Sequence, residues 1–301
     1  MKIQLGQPFS FTRKGRRDNQ EDSRFPDSDK PSATQRYFVV CDGVGGSEKG
    51  EVASRTVCSA ISKAMSSVDL DKAFSNEAFS KVFDTAYDAL DRKSDNSNRE
   101  MATTMTFVCF HAGGCTMAHI GDSRIYHFRP GEGIIYRSED HALVVSMVRN
   151  GVITPEEAEV NPQKHVITRY MAPVESDGTR CSASVMLEND VKAGDYFLLC
   201  SDGVSGMIDD DSLIQVVLNP ELSDERKMTE IARLCEDSDD NNTATLIPVV
   251  AAEYDNVIAD ETSPEGPTKR LKNPSKGIED IESSKGKNGP RFTNWILNIF
   301  K

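Results

Sequence analysis

The sequence has no apolar run of membrane-spanning length, one tryptophan in 301 residues, and no cysteine pair spaced CxxC. Each shortage excludes something. Without about 20 consecutive apolar residues, no transmembrane helix is expected. The opening residues, MKIQLGQPFSFTRKG, lack the apolar core of a secretory signal. The seven cysteines are scattered, so they read as reduced thiols in a cytoplasm. No EF-hand loop is present. Positive charge is also in short supply: 35 Lys and Arg face 48 Asp and Glu, for a net charge of −13. That balance argues against a nucleic-acid binder as the main domain.

What is present suits a soluble globular protein: 38% hydrophobic and 28% charged residues, with length for one large domain or two small ones. The charge is uneven. Residues 209–261 hold fifteen acids against three bases, and residues 268–291 hold seven bases against three acids. The most informative stretch is Tyr37 to Gly46, YFVVCDGVGG. An apolar run with strand character ends in Asp42-Gly43, then Gly45-Gly46. A carboxylate at a strand end can reach a ligand, and glycines let backbone approach closely. Alone, the motif is a turn. It gains weight by repetition. HIGDS places Asp122 in the same way, FLLCSDG places Asp202, and Asp240-Asn241 stands just before TATLIPVV. Glu21-Asp22 adds acids from the loop GRRDNQED, where Arg17 is a fixed cation four residues before Glu21. Such acids repel one another unless cations or solvent separate them, and hard oxygen ligands suit Mg²⁺, Mn²⁺ or Ca²⁺. Cys41 and Cys200, each near one of these acids, read as small apolar strand residues.

Along the chain, residues 1–14 read as an edge strand and its approach. Glu51 to Met65 reads as a helix with one apolar stripe and Ser47 as its N-cap. A second helix is expected near Asn76 to Arg92, then a polar loop at 93–100. Four β segments follow, TMTFVCF, CTMAHI, RIYHF and GIIY, and their short connections imply antiparallel neighbours. His119 and His127 alternate as strand side chains do and read as structural; His111 lies at a turn. His141 to Asn150 reads as a helix stopped by Gly151. Thr154-Pro155-Glu156-Glu157 predicts another, with Thr154 as cap, Pro155 at the first position and Glu157 closing a capping box. This helix and the segment to Pro173 read as a mobile flap. Strands at 181–187 and 196–200, helices at Asp211–Leu218 and Asp224–Glu236, and a strand at 244–252 complete the pattern.

In this order, RDNQED, CDGVGGSEKGEVAS, ATTMTF, HIGDSRIY, DHALVVSMVRNGVITPEEA, GDYFLLCSDGVSGMI and DDNNTATL resemble the metal-dependent protein phosphatase 2C family in its bacterial form. The resemblance covers residues 5–252. It implies an α+β fold, a four-layer αββα sandwich of two antiparallel sheets flanked by helices. It also implies roles. Asp42 corresponds to the carboxylate bridging two metal ions, Glu21 and the Gly43 carbonyl to ligands of one ion, and Asp202 and Asp240 to ligands of the other. Arg17 corresponds to the phosphate-binding arginine. Asp122, with Asp202, matches the pair that holds a third, weaker ion, while Asp22 and Asn241 fall to supporting roles. The sequence departs from the family pattern at Ser47, where bacterial members usually have His, and at Val44, where many eukaryotic relatives have the His of a DGH motif. That loop therefore assigns no general acid. Met101-Ala102 also replaces the common Met-Gly.

The activity implied is hydrolysis of phosphoserine and phosphothreonine in proteins by a metal-bridged water, with Mn²⁺ or Mg²⁺ as cofactor and a serine/threonine kinase as opposing partner. The competing readings are a phosphoprotein-binding pseudophosphatase and a structural Ca²⁺-binding domain. Residues 1–254 are expected to form the catalytic domain, 255–289 a disordered polar linker rich in Pro, Gly and Ser, and 290–301 a short amphipathic segment. In that segment Phe292, Trp295, Ile296, Ile299 and Phe300 share one helical face, which suggests docking on a partner or on the chain's own domain.

Overall fold

Side chains along Tyr37–Cys41 alternate between two separate apolar cores, and this alternation sets the architecture. Phe38 and Val40 enter one core, while Val39 and Cys41 enter another. The computed structural model describes residues 2–44, 49–94, 101–174 and 179–253. The elements, in order, are β1 (Lys2–Leu5), β2 (Phe9–Arg13), β3 (Ser23–Phe25), β4 (Tyr37–Cys41), α1 (Gly50–Met65), α2 (Asn76–Lys93), β5 (Met105–His111) and β6 (Gly114–Ile120). Then come β7 (Arg124–Arg129), β8 (Gly133–Arg137), α3 (Leu143–Arg149), α4 (Pro155–Glu159), β9 (Ser184–Glu188), β10 (Tyr196–Cys200), α5 (Asp202–Ser205), α6 (Asp210–Val217), α7 (Asp224–Leu234) and β11 (Asn242–Glu253).

The strands form two antiparallel sheets. One runs β1-β11-β10-β7-β8, with β2 also on β11; the other runs β3-β4-β5-β6-β9. Phe38, Val40, Val108, Phe197, Leu199 and Ile247 fill the space between the sheets. Phe107 and Cys109 turn outward with Val39 to meet α1 and α2, which bury Val57, Ile61, Phe83 and Leu90 there. Leu198, Cys200 and Leu246 face Leu213 and Val217 of α6 and Ile231 of α7. Three apolar cores separate four layers, so the expected αββα sandwich is the fold that forms.

Local chemistry sets several boundaries. Ser75 caps α2 by accepting from Ala78 N. Thr154 and Glu157 make both bonds of the capping box on α4. Gly151, at φ +67°, ends the turn after α3. His119 Nε2 donates to the Glu139 carbonyl at 2.8 Å, and His127 lies 2.8 Å from Asp195, so both are structural. His111 Nδ1 accepts from Phe74 N and Gly113 N and holds the β5–β6 turn.

Some expectations need correction. The third β segment does not pair with the second: β6 and β7 lie in different sheets, joined by Gly121, Asp122 and Ser123. Gly121 has φ +103°, and a Cβ there would lie 2.6 Å from Thr104 Cγ2, so the chain turns out of one sheet instead of closing a hairpin. The position before α1 is Lys49, with no side-chain capping bond. Ser47, the expected cap, lies outside the described residues, as does most of the polar loop at 93–100. The expected first edge strand is two strands, β1 and β2, consecutive along one side of β11. The proposed linker and the C-terminal stripe also lie outside the described residues.

Candidate metal centre

All seven sequence-selected residues, Arg17, Glu21, Asp42, Gly43, Asp122, Asp202 and Asp240, line one cleft of about 710 Å³. The sheet topology explains why. Asp42 leaves the end of β4, Asp202 follows β10, and Asp240 precedes β11. Because β10 and β11 are antiparallel, with Cys200 opposite Ala244, the end of one meets the start of the other. Asp122 sits in the crossover where β7 begins, with Arg124 opposite Cys200.

Hydrogen bonds to the main chain fix Asp42, Gly43 and Glu21. Asp42 N donates to Thr104 Oγ1 at 3.0 Å, and its carbonyl accepts from Thr104 N and Thr103 Oγ1, both at 2.8 Å. Gly43 N donates to the Glu21 carbonyl at 3.1 Å. Gly43 packs so tightly on α1 that a Cβ would lie 2.5 Å from the Gly50 carbonyl carbon. Asn241 clamps the N-terminal loop: its Oδ1 accepts from Glu21 N at 2.7 Å, and its Nδ2 donates to the carbonyls of Lys14 and Asn19. Asp22 lies buried beneath the cleft, accepting from Ser201 Oγ at 2.8 Å. Arg17 donates to Asp240 Oδ2 at 2.7 Å, a contact between residues 223 apart that no local pattern signals.

The electrostatics follow from crowding. Burial, then the charges of Asp22, Asp202 and Asp122, hold the Asp42 carboxyl well above the usual carboxylate range. Burial and Asp202 do the same to Asp122. Burial and Asp240 raise Asp202, and burial and Glu51 raise Glu21. Asp22 is pushed up to about 7, mainly by burial, against hydrogen bonds from Thr243 and Ser201. Arg17 is held more firmly protonated, first by its bond to Asp240.

Acids in such a cluster are relieved by protons or by cations, and two details favour cations. Asp202 Oδ1 and Asp22 Oδ1 are buried with no hydrogen-bond partner, and a buried carboxylate oxygen without a donor is costly. Among the described residues, no three His, Cys, Asp or Glu side chains are grouped closely enough to hold an ion by themselves. The acids that line the cleft offer only hard oxygen donors, which suit ions that keep waters in their shell. The residues therefore fit divalent cations bound through carboxylates, water and main-chain oxygen.

The cleft also contains residues that sequence reasoning missed. His165, Ile167 and Met207 line it. The first two come from the expected flap, whose far end is bonded in place. Leu143 N donates to the Val166 carbonyl, and Thr103 and Met171 exchange two backbone bonds at 2.9 and 2.8 Å. Met171 is fully buried. Pairing over such separations leaves no periodic trace. The paired threonines of ATTMTF were visible in sequence, but their hold on the Asp42 carbonyl was not.

The family profile of protein phosphatase 2C matches residues 21–246. The chain belongs to the protein phosphatase 2C family. It is 30% identical over 248 residues to serine/threonine protein phosphatase PstP of Mycobacterium tuberculosis, covering 79% of this chain and 44% of that protein. It is 30% identical over 187 residues to protein phosphatase PhpP of Streptococcus pneumoniae, covering 62% of this chain and 74% of that one. The chain thus spans less than half the length of the mycobacterial relative. A crystal structure of the PstP catalytic domain, described as a complex with two manganese ions, aligns with a TM-score of 0.66 at 27% identity, covering 83% of this chain and all of that one. Family membership accounts for the sandwich.

Proposed function

We propose that this phosphatase-family chain hydrolyses phosphoserine and phosphothreonine in proteins, opposing a serine/threonine kinase in the cytoplasm. The observation that carries the proposal is the convergence of four strand-end aspartates, Glu21 and Arg17 on one cleft. Glu21, Asp42 and the Gly43 carbonyl would hold one Mn²⁺ or Mg²⁺, with Asp42 shared by a second ion at Asp202 and Asp240. Asp122, with Asp202, would hold a third, weaker ion. When bound, such ions lower the pKa of a water to give a nucleophile near neutral pH and offset charge on the phosphoryl group.

The chain's own residues do the rest. Arg17 spends one N–H on Asp240 and keeps other donors of its fixed fork for phosphate oxygens, which orders the ester for in-line attack. Asn241 holds Glu21 and the loop behind Arg17 in register. Thr103 and Thr104 anchor the backbone of Asp42, so its carboxylate needs little reorganisation during reaction. Residues 1–254 form the catalytic unit in this reading. The profile match ends at residue 246 and β11 at Glu253, which supports it. No helix among the described residues is long and apolar enough to cross a membrane.

The test is phosphate release from a phosphothreonine peptide in Mn²⁺ and in EDTA. Metal-dependent turnover is expected. A folded protein that binds the peptide in Mn²⁺ yet releases no phosphate would replace this reading with the pseudophosphatase one.

A further inference from the structure

A second large concavity lies away from the acidic cleft and shares no lining residue with it. It is a groove of about 1120 Å³ along the outer face of α1 and α2. Its floor is made of small apolar side chains, among them Ala60 and Ala64 of α1 and Ala78 and Ala89 of α2. Small residues let another backbone approach closely. Five bases line the groove, including Arg55 and Lys63 on one wall and Lys81 and Arg92 on the other, and no acid lines it. That is unexpected on a chain of net charge −13.

Charge is sorted around α2. Asp84, Asp88 and Asp91 form one stripe and are gathered by Arg180, at 3.6, 2.8 and 2.8 Å. The neighbouring stripe of Lys81, Ala89 and Arg92 faces the groove. Glu77 touches its rim through a 2.9 Å pair with Lys81, and both side chains are exposed. Helix rise places Arg55 and Lys63 about 12 Å apart along one wall, and Lys81 and Arg92 about 16 Å apart along the other. Two cationic walls of two to three turns, over an alanine floor, match a helix with an apolar stripe flanked by carboxylates on both sides.

We propose that the groove between α1 and α2 docks an acidic amphipathic helix of a partner protein. The apolar floor and the paired walls fit that occupant better than a duplex nucleic acid. A duplex would use the bases, leave the floor unfilled and meet the repulsion of the chain's net charge. Binding energy comes from burying the helix stripe on the alanines. The walls set orientation and the rate of encounter.

The experiment uses the full chain and a fluorescein-labelled 15-residue peptide. The peptide carries Leu and Ala on one helical stripe and Glu on both flanks. Saturable anisotropy is expected, lost progressively between 50 and 500 mM NaCl. Lys63→Glu with Arg92→Glu should weaken binding at least tenfold, as should filling the floor with Ala64→Trp. A peptide of the same composition, scrambled to destroy the stripe, should bind at least tenfold more weakly. Each variant should keep its circular-dichroism spectrum and its turnover of para-nitrophenyl phosphate. Equal binding of the scrambled peptide, or indifference to the charge reversal, would overturn the proposal. So would displacement of the peptide by a DNA duplex or by phosphatidylserine vesicles at lower concentration, or self-association of the chain that the same substitutions abolish.

Discussion

At the scale of single residues, the acid cluster balances repulsion against use. Asp42 is raised by burial and by three carboxylate neighbours. Asp42→Asn keeps the size and removes the charge. Turnover in saturating Mn²⁺ should fall at least about a hundredfold, the scale of losing one strong transition-state electrostatic element. In EDTA the same variant should melt at a higher temperature than the wild type, because repulsion falls. Calorimetry and steady-state assays together check both halves, and near-normal turnover by the folded variant would remove Asp42 from the chemistry. Arg17 presents a different balance. Its pair with Asp240 is half exposed, so it adds little stability, about 0–1 kcal/mol for such pairs. Arg17→Ala should therefore leave the melting temperature nearly unchanged, raise KM and weaken inhibition by inorganic phosphate. An unaltered inhibition constant would place Arg17 outside the phosphate site. Asp42, Asp122 and Asp202 were legible in sequence because each stands just past an apolar run, and Asp240 because it stands just before one, a purely local signal. Glu21 was marked out by the family resemblance. The Arg17–Asp240 bond, the Asn241 clamp and the buried, half-satisfied Asp22 were not legible, since each depends on strands that meet from opposite ends of the chain.

At the scale of elements, the crossover between β6 and β7 is the feature the sequence concealed. The pattern showed two strands and a short connection, and a short connection ordinarily means a hairpin. The left-handed backbone of Gly121 sends the chain to the other sheet, and His141 secures the turn. Its Nδ1 accepts from Gly121 N at 3.1 Å, its own N–H donates to the Gly121 carbonyl, and its ring stacks on His119 at 4.6 Å. Burial, then the neighbouring His119, lowers His141 to about 3, and burial lowers His111 to about 4. Both folded values lie below the usual 6.5. Neutral histidine thus contributes stability that is fully present above pH 6.5 and lost as the pH falls towards 4 and 3. The cleft acids act with the opposite sign, since their raised values cost stability as the pH rises. Saturating Mn²⁺ should suppress that second effect. Melting temperatures in Mn²⁺ should then decline from pH 7 to pH 4.5, and His141→Asn should decline less steeply; equal slopes would show that His141 titrates normally. The start of α4, by contrast, was well announced: the Thr154 capping box forms as its four letters predict.

At the scale of the whole molecule, the four layers were implied by the family resemblance, and hydrophobic periodicity was enough only to mark strands and helices. It was not enough to order the strands. The order depends on β11, whose partners β1, β2 and β10 are set by contacts no window of sequence contains. A chain ending at residue 254 keeps every element described here. Its turnover of para-nitrophenyl phosphate should stay within about twofold of the full chain, because no proposed ligand lies beyond Asp240 and the polar stretch after Glu253 has a linker's composition. Loss of small-ester activity in a folded truncation would make residues 255–301 part of the catalytic unit. The register of β11 has one more consequence. Lys2 stands opposite Glu253, so the folded unit begins and ends one strand spacing apart, about 5 Å. Such a unit is topologically a closed loop that happens to be cut at one edge. A short linker could join those ends, and the Pro130-Gly131 turn, with no atom within 4 Å of a Cβ at Gly131, could be opened in their place. The permuted chain would begin with β8 and end with β7, and its acid cleft would be unaltered.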